Sequence, residues 1–411
     1  MTQINLPNFV EIPDGLPEAL RIKLNLASGE KLRLCYLSLA NDVARVQQFW
    51  AQGLGDPRSQ KATYAGMFFE LVDKLGGQGL LVSQFDTEPP SDQAVKIVKI
   101  DRQLEKDGQK SVVDQVVEQV TTFQPHLVVV SPSISAEIIP KLSKICPTVY
   151  YAHSLFWPLN WDHGAMSLKD RARKLVRGRR HRKNLSGISG LLASSDISLR
   201  QTQKLIGDGL PFSVTRNQYI QPPQILNPKS ARNLLYVGEF SDTARVDLII
   251  EAYRMVAAET AGIKLTMIGT GPKNDELSAL GAKIDGLEVH VGFDAHKIQA
   301  ELQDAGLVIV ADDFSAKKAL PTYLPEALIQ GVPALISSNV PANPEELAHC
   351  ETFQSGDLAD LVRRMKLLVT DDQAYQALCA KLPMDAAPYY DRAQSWGSGI
   401  ARLFAKIYGI S

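Results

Sequence analysis

The order of its apolar segments is the strongest constraint that this sequence places on its fold. Short apolar runs such as LRLCYLSLA (32–40), HLVVVSP (126–132) and TVYYAHS (148–154) alternate with segments of helical spacing such as ATYAGMFFELVDKLG (62–76). Runs this short and this continuously apolar are typical of strands buried on both faces. The alternation therefore predicts a parallel sheet that is covered by helices on both sides.

The same alternation starts again after QPPQILNPKSARN (221–233), a polar, proline-rich segment that is typical of a linker. We therefore predict two Rossmann-like, doubly wound domains with a ligand cleft between them. The predicted organisation is a leader at 1–30, a first domain at 31–220, a linker at 221–232, a second domain at 233–388, and a C-terminal segment at 389–411 whose amphipathic helix packs back toward the first domain.

Composition excludes several classes of protein. The 411 residues carry a net charge of −1, so no global field attracts nucleic acid, and no nucleic-acid partner is expected. The four cysteines are far apart and lack metal-ligand spacing, which indicates free thiols in a reducing compartment and no metal site. The N-terminus does not resemble a secretion signal, and no apolar run approaches the ~20 residues that span a bilayer. We expect a cytoplasmic protein, or one that is peripheral at the inner face of the membrane.

Glycines follow two strands of the predicted second domain. Gly238 lies in YVGEF, and Gly269 and Gly271 lie in LTMIGTGP, each before a helical segment. Glycine lets a ligand approach the backbone, and it also serves simple tight turns. Both interpretations stay open for each glycine taken alone.

The ordered set of these motifs resembles a known family. The segments VGEFSDTARVDLIIEAY, LTMIGTGP, LEVHVGF, LPTYLPEALIQGVPALIS and SGDLADLVRRMKLLVTD resemble, in order, the donor domain of GT-B glycosyltransferases of glycosyltransferase family 4, the retaining group 1 enzymes. The resemblance covers nearly all of 233–370 and is looser in the first half. It implies a GT-B fold and transfer of a sugar from a UDP- or GDP-linked donor to a glycan or lipid-linked acceptor, with retained configuration and without a metal or further cofactor.

One acid of the family motif is missing. Glu326 matches the second glutamate of the family's Glu-x7-Glu motif, which holds the donor ribose hydroxyls, and a carboxylate suits two adjacent hydroxyls. The first glutamate would fall on Lys318. Asp312 or Asp313, in a loop longer than usual, is the open candidate for its place.

The usual diphosphate-binding cations are also replaced. The family's arginine and lysine positions hold Glu239 and Ala244 here. Arg245, Lys317 and Lys318 lie close enough in sequence to stabilise a leaving diphosphate, although each is equally compatible with a solvated surface charge.

The remaining donor-side residues follow from the same resemblance. Phe293 ends LEVHVGF, and Thr322 and Tyr323 open the helix that carries Glu326, where backbone N–H groups would face a phosphate. His153 follows the strand TVYYAHS, where the family places a histidine that faces the acceptor.

The acceptor side carries an aromatic loop and a basic segment. Trp157 would stack on a sugar, touch lipid or simply pack in its loop. Segment 169–183 has nine Lys/Arg and one acid, and it includes Arg179, Arg180 and Arg182. Such a patch would meet an anionic membrane or a polyprenyl diphosphate, or be a solvated face.

Two alternatives to a transferase stay open. Because the first glutamate and both usual cations are replaced, the chain would also fit a GT-B-like binding or partner subunit that transfers no sugar. A sugar-nucleotide epimerase on the same fold is the third alternative.

Overall fold

The structure is a computed structural model that divides into two compact units. Unit 1 comprises 1–156, 171–220 and 387–411, and unit 2 comprises 157–170 and 221–386. The residues described are 8–39, 43–53, 61–83, 93–132, 134–163, 166–220, 224–226, 230–313 and 323–410.

Each unit contains one sheet. The strands of unit 1 are β1 (Arg33–Leu37), β2 (Gln78–Ser83), β3 (Val95–Lys99), β4 (Leu127–Val130), β5 (Thr148–Ala152), β6 (Gly190–Ala193) and β7 (Phe212–Val214). The strands of unit 2 are β8 (Asn233–Glu239), β9 (Lys264–Thr270), β10 (Leu287–Val291), β11 (Leu307–Val310), β12 (Ala334–Ser337) and β13 (Cys350–Phe353).

Helices connect the strands. In chain order they are α1 (Leu16–Lys23), α2 (Val43–Ala51), α3 (Tyr64–Lys74), α4 (Arg102–Lys106), α5 (Val112–Phe123), α6 (Ile139–Leu142), α7 (Asn160–His163), α8 (Leu168–Asn184), α9 (Asp196–Ile206), α10 (Val246–Glu259), α11 (Asn274–Gly281), α12 (Ala295–Asp304), α13 (Leu324–Gln330), α14 (Pro344–Leu347), α15 (Leu358–Thr370), α16 (Asp372–Cys379) and α17 (Trp396–Ile407).

Both sheets are parallel and doubly wound. Their strand orders are β3-β2-β1-β4-β5-β6-β7 and β10-β9-β8-β11-β12-β13, and all strand pairings between named strands are parallel. The strand order reverses between β1 and β4 in unit 1, and between β8 and β11 in unit 2. Central strands such as β4 and β12 are buried along their whole length, as continuous apolar runs require. The predicted pair of Rossmann-like domains is confirmed.

Unit boundaries differ from the predicted ones at two places. Residues 157–170 group with unit 2, although the sequence places them inside the first domain. Residues 8–30 are part of unit 1, where the prediction set 1–30 apart as a leader. Phe9, Val10, Leu16 and Leu20 are buried in the same apolar core as β1 and α3.

A buried carboxylate anchors this N-terminal segment. The backbone N–H groups of Phe9 and Val10 donate to the two carboxylate oxygens of Glu70 on α3, each at 2.9 Å. Lys74, one turn later on the same helix, lies 3.2 Å from Glu70 and also bonds the carbonyl of Val10. Hydrogen bonds to a charged acceptor are stronger than neutral ones, so Glu70 fixes the segment against α3.

Helix α17 completes the core of unit 1. It packs on α3, β6 and β7. Trp396 is fully buried, with its ring 4.8 Å from that of Tyr36 and 5.6 Å from that of Tyr64. The C-terminal helix therefore belongs to the same unit as the N-terminal sheet, far from it in sequence.

Replacing Glu70 by alanine should destabilise unit 1. Two buried backbone N–H groups lose their acceptor, and each lost bond to a charged group is worth roughly 1.5–3 kcal/mol. Urea unfolding followed by circular dichroism measures the loss. Glu18→Ala, at an exposed position of α1, is the matched control. Equal stability of the two variants would show that residues 8–30 are not anchored by this carboxylate.

Candidate functional site

A cavity of about 330 Å³ opens at the carboxyl ends of β8 and β11 in unit 2. Its walls are formed by Tyr236, Val237, Gly238, Glu239, Phe293, Val308, Val310, Asp312, Tyr323 and Leu324. These two strands are the neighbours at which the strand order of the sheet reverses. In doubly wound sheets the loops diverge at this point and leave a crevice for a ligand.

Two aromatic rings form one wall of this cavity. Phe293 follows β10 and Tyr323 precedes α13, and their rings lie nearly parallel at 15° with centroids 6.3 Å apart. Phe293 is 47 % exposed, which leaves a large apolar ring available to a ligand. Burial, and then the neighbouring Glu326 carboxylate, raise the pKa of Tyr323 to about 12, so its hydroxyl is protonated at neutral pH.

Glu326 lies close behind this wall. It is in the first turn of α13 and is only 4 % exposed. The helix begins at Leu324 with Pro325 in its first turn, where a missing N–H is tolerated. A buried carboxylate beside Tyr323 offers strong acceptors at the edge of the cavity.

The three glycines have different surroundings. Gly238 lines the cavity, and a Cβ atom there would lie 2.6 Å from the hydroxyl oxygen of the Tyr236 side chain. A Cβ atom on Gly269 would lie 1.8 Å from the carbonyl oxygen of Gly238, and one on Gly271 would lie 2.4 Å from that of Phe240. Close packing of β9 and its following turn against β8 therefore already requires glycine at 269 and 271.

The cavity wall is acidic among its described residues. Glu239 and Asp312 belong to it, and none of the ten lining residues is Lys or Arg. Asp312 is 3 % exposed. Burial and then these two carboxylates raise the pKa of Tyr236 far above its ordinary value, and its hydroxyl donates to the backbone carbonyl of Glu239 at 2.7 Å. This wall favours a ligand that donates hydrogen bonds.

A cation lies in the loop between β8 and α10. Arg245 has φ 50°, a left-handed backbone that an arginine rarely adopts. Its guanidinium lies 3.5 Å from the Asp247 carboxylate and 3.8 Å from that of Asp313. The N–H of Asp313 donates to the carbonyl of Thr243 at 2.8 Å, which joins the loops after β8 and β11.

Asp313 therefore faces Arg245 within the described residues. Asp313, one of the two candidates for the place of the missing first glutamate, therefore has a cation as its neighbour. Lys317, Lys318 and Thr322 lie outside the described residues.

His153 lies in unit 1, directly after β5. Its Nδ1 is 3.0 Å from Ser154 Oγ, and its ring meets that of Tyr151 edge to face at 5.2 Å. Burial lowers the pKa of His153 below its ordinary value, so the imidazole is neutral at pH 7. Beneath it, Tyr151 donates to the hydroxyl of Tyr64 at 2.8 Å, and Tyr64 donates to Asn217 Oδ1 at 3.3 Å.

The sequence analysis did not single out this pair of tyrosines. Tyr64 opens α3 after the capping residue Thr63 and lies 87 positions from Tyr151. In the sequence, Tyr64 is only a tyrosine at the start of a predicted helix, and this pattern is too common to predict a site.

Trp157 is packed inside its loop. It is 3 % exposed, and its indole N–H donates to Asp162 Oδ1 at 3.0 Å. A ring so enclosed offers little surface to a sugar or to lipid. Of the three alternatives that the sequence left open for Trp157, this burial favours the packed loop.

The three predicted arginines of α8 have different contacts. Arg179 is exposed. Arg180 forms an ion pair with Glu137 at 2.5 Å, and Arg182 donates to the carbonyl of Leu205 at 2.7 Å.

The described residues contain no group of three or more His, Cys, Asp or Glu side chains that would hold a metal ion. None of the helices built from these residues is both long and apolar enough to cross a bilayer.

A family model matches the segment that contains the cavity. Residues 218–381 match glycosyl transferases group 1, and every residue of the cavity wall lies in this segment. Among curated protein sequences none matches the chain. The expected resemblance to group 1 glycosyltransferases is confirmed for this segment.

Solved structures confirm the GT-B glycosyltransferase fold. HepE from Anabaena, in complex with UDP, has a TM-score of 0.59 at 12 % identity and is matched over 91 % of this chain and 100 % of its own. Sucrose-phosphate synthase from Thermosynechococcus elongatus has a TM-score of 0.61 at 13 % identity, over 92 % and 98 %. TarM from S. aureus, in a complex that includes UDP, has a TM-score of 0.54 at 14 % identity, and the match covers 73 % of this chain. This chain spans 59 % of the length of TarM.

The charge state of His153 gives a stability prediction. Its folded pKa is lowered from 6.5, so folding disfavours its protonation and stability should fall as the pH drops through about 6.5. In His153→Gln this contribution disappears, and the loss of stability between pH 7.5 and pH 5.5 should be smaller than in the wild type. Urea unfolding at both pH values measures the difference. Identical pH dependence of the two proteins would show that His153 titrates as it does in the unfolded chain.

Proposed function

We propose that this chain, whose second unit carries a group 1 glycosyltransferase domain, transfers a sugar from a nucleotide-sugar donor to an acceptor. The observation that carries the proposal is the position of the cavity. It lies at the strand-order reversal of unit 2, entirely within the matched family segment. HepE, a structural neighbour, has been solved with UDP and with UDP-glucose. A UDP- or GDP-linked sugar is the proposed donor.

The cavity wall would bind the nucleoside part of the donor. The parallel rings of Phe293 and Tyr323 offer a flat apolar surface to a base. Gly238 lets the ligand approach the strand backbone. The Glu326 carboxylate would accept hydrogen bonds from two adjacent ribose hydroxyls. The acidic wall at Glu239 and Asp312 suits hydroxyl donors and disfavours a phosphate.

The diphosphate would therefore lie toward Arg245, outside the acidic wall. Departure of the nucleoside diphosphate develops negative charge on its phosphate oxygens, and a fixed cation stabilises that charge. Arg245 would exchange its contact with Asp313 for the diphosphate. Lys317 and Lys318 come four and five residues after Asp313 in the sequence and would add to this charge.

The finer parts of the proposal concern the acceptor. A neutral His153 can accept a hydrogen bond from a sugar hydroxyl or donate one to it. The ring of Tyr151 packs against the imidazole and helps to hold it in place. We propose a glycan or lipid-linked acceptor, retained anomeric configuration, no metal or further cofactor, and a cytoplasmic site of action at the inner face of a membrane. Assembly of polysaccharides or glycoconjugates is the reaction class that fits.

A second candidate is a binding or partner subunit that transfers no sugar. It is favoured by one observation, namely that the ten residues of the cavity wall include two acids and no cation, while Arg245 faces two aspartates. Such a protein would bind a nucleotide or glycan and stabilise an active glycosyltransferase.

Nucleotide binding provides the first test of the site. One of UDP, GDP or ADP, or a sugar derivative of one, should stabilise the protein by ~2.7 kcal/mol at ~100 times its dissociation constant. Glu326→Gln should weaken the binding of that nucleotide by roughly 1.5–3 kcal/mol for each hydrogen bond lost. Calorimetry measures the affinity, and Glu345→Gln, at an exposed position of the same unit, is the control. Unchanged affinity of Glu326→Gln would remove this residue from the site.

Turnover separates the enzyme from the partner subunit. If Arg245 stabilises the leaving diphosphate, Arg245→Ala should lower turnover ~100-fold or more, because a charge used in the transition state is worth several kcal/mol. Arg254→Ala, an exposed arginine on the outer part of α10, should keep its turnover. Full activity of Arg245→Ala would show that another group stabilises the diphosphate. A wild type that binds no donor and transfers no sugar across a broad panel would favour the partner subunit.

A further inference from the structure

Helix α8 combines a strong positive charge with exposed aliphatic side chains. Its sequence LKDRARKLVRGRRHRKN has nine Lys/Arg and one acid, and none of its side chains is buried. Within unit 1, Leu175 is 57 % exposed and Val176 is 66 % exposed. A helix that only needed to be solvated would gain nothing from two adjacent large aliphatic groups in water.

These aliphatic groups share one face of the helix. Leu175 and Arg179 lie four residues apart, and Val176 and Lys183, seven residues apart, lie beside them. Arg171 precedes Leu175 by about one turn. We call Arg171, Leu175, Val176, Arg179 and Lys183 the outward face of α8. All five residues are exposed.

The side of α8 that carries Gly178 and His181 fixes the orientation of residues 171–184 in unit 1. A Cβ atom on Gly178 would lie in ordinary contact, 3.7 Å from Leu205 on α9. The ring of His181 lies 4.8 Å from that of Phe156. Arg182 lies at the edge between this side and the outward face, and it donates to the carbonyl of Leu205. Because these contacts hold the inner side, the two aliphatic groups stay on the side that faces solvent.

We propose that the outward face of α8 binds the surface of an anionic lipid bilayer. Leu175 and Val176 would enter the boundary between head groups and acyl chains, and Arg171, Arg179 and Lys183 would lie at the level of the lipid phosphates. An apolar stripe flanked by Lys/Arg is the pattern of helices that lie in the membrane interface. This inference goes beyond the transfer of sugar and holds for the enzyme and for the partner subunit alike.

Charge complementarity selects this occupant. A second copy of the chain would bring a second basic helix against the first, and like charges repel. A nucleic acid would match the charge but would leave the two aliphatic groups without a role. An anionic bilayer supplies both the negative charge and the apolar layer.

The structure also refines which charges matter. Arg180 and Arg182 have partners within unit 1, so reversing their charge would disturb the unit as well as any membrane contact. The outward face offers Arg171, Arg179 and Lys183 for the same purpose.

Vesicle co-sedimentation of the full chain tests the proposal. The wild type should bind equimolar phosphatidylcholine–phosphatidylglycerol vesicles and not vesicles of phosphatidylcholine alone. Binding should weaken as NaCl is raised from about 0.1 M to about 1 M, since the Debye length falls from about 10 Å to about 3 Å. Leu175→Ser with Val176→Ser should weaken binding about tenfold or more, because two buried aliphatic side chains are lost.

Charge reversal completes the test. Arg171→Glu, Arg179→Glu and Lys183→Glu together should weaken binding about hundredfold or more. Matched controls in unit 1 are Ile22→Ser, which removes an aliphatic group that is 71 % exposed, and the triple reversal of Lys23, Lys31 and Lys106, which changes the net charge equally. Both should bind far more strongly than their α8 counterparts.

Several results would overturn the inference. They are no binding by the wild type, equal binding to neutral vesicles, or full binding by Leu175→Ser with Val176→Ser while circular dichroism shows an intact fold. Binding to RNA that is lost in the charge-reversed variant but kept in the serine variant, together with no binding to vesicles, would assign the face to nucleic acid instead.

Discussion

Parallel pairing of the strands is the constraint on which the rest of the structure depends. Each strand must be followed by a return across the sheet, so every strand of a sheet ends at the same edge. In unit 2 this brings together the ends of β8 and β11, which lie next to each other although more than 60 residues separate them in sequence. The crossover connections that follow β8 and β11 lead to opposite sides of this pair. The cavity is the gap between these two connections.

The same constraint places the unusual charge of the site. Arg245 closes the turn after β8 in a left-handed conformation, and Asp313 follows β11. Their contact at 3.8 Å, with the backbone bond between Asp313 and Thr243, ties the two loops together. Residues with a strained backbone cluster at ligand-binding sites, and here the strained residue carries the cation that joins the ends of two neighbouring strands.

Much of the fold could be predicted from the sequence because buried parallel strands are continuously apolar. HLVVVSP and TVYYAHS contain β4 and β5. β3 could not be predicted, since VKIVK is an edge strand with exposed lysines, and the three residues of β7 are too few for a pattern.

The site could be predicted only in outline. The Glu70 contacts with Phe9 and Val10 and the Tyr64–Tyr151 bond join residues 60 or more positions apart, so periodicity carries no trace of them. The loop sequence likewise gives no sign of the hydrogen bond from the Trp157 indole N–H to Asp162 Oδ1.

A crystal structure of the protein with the nucleotide that stabilises it most would test the central claim most directly. That claim is that the cavity at the ends of β8 and β11 holds the donor. The account predicts density for the base against Phe293 and Tyr323, with the ribose hydroxyls on the Glu326 carboxylate and the phosphates directed toward Arg245. A nucleotide bound elsewhere on the chain, with this cavity filled only by solvent, would contradict it.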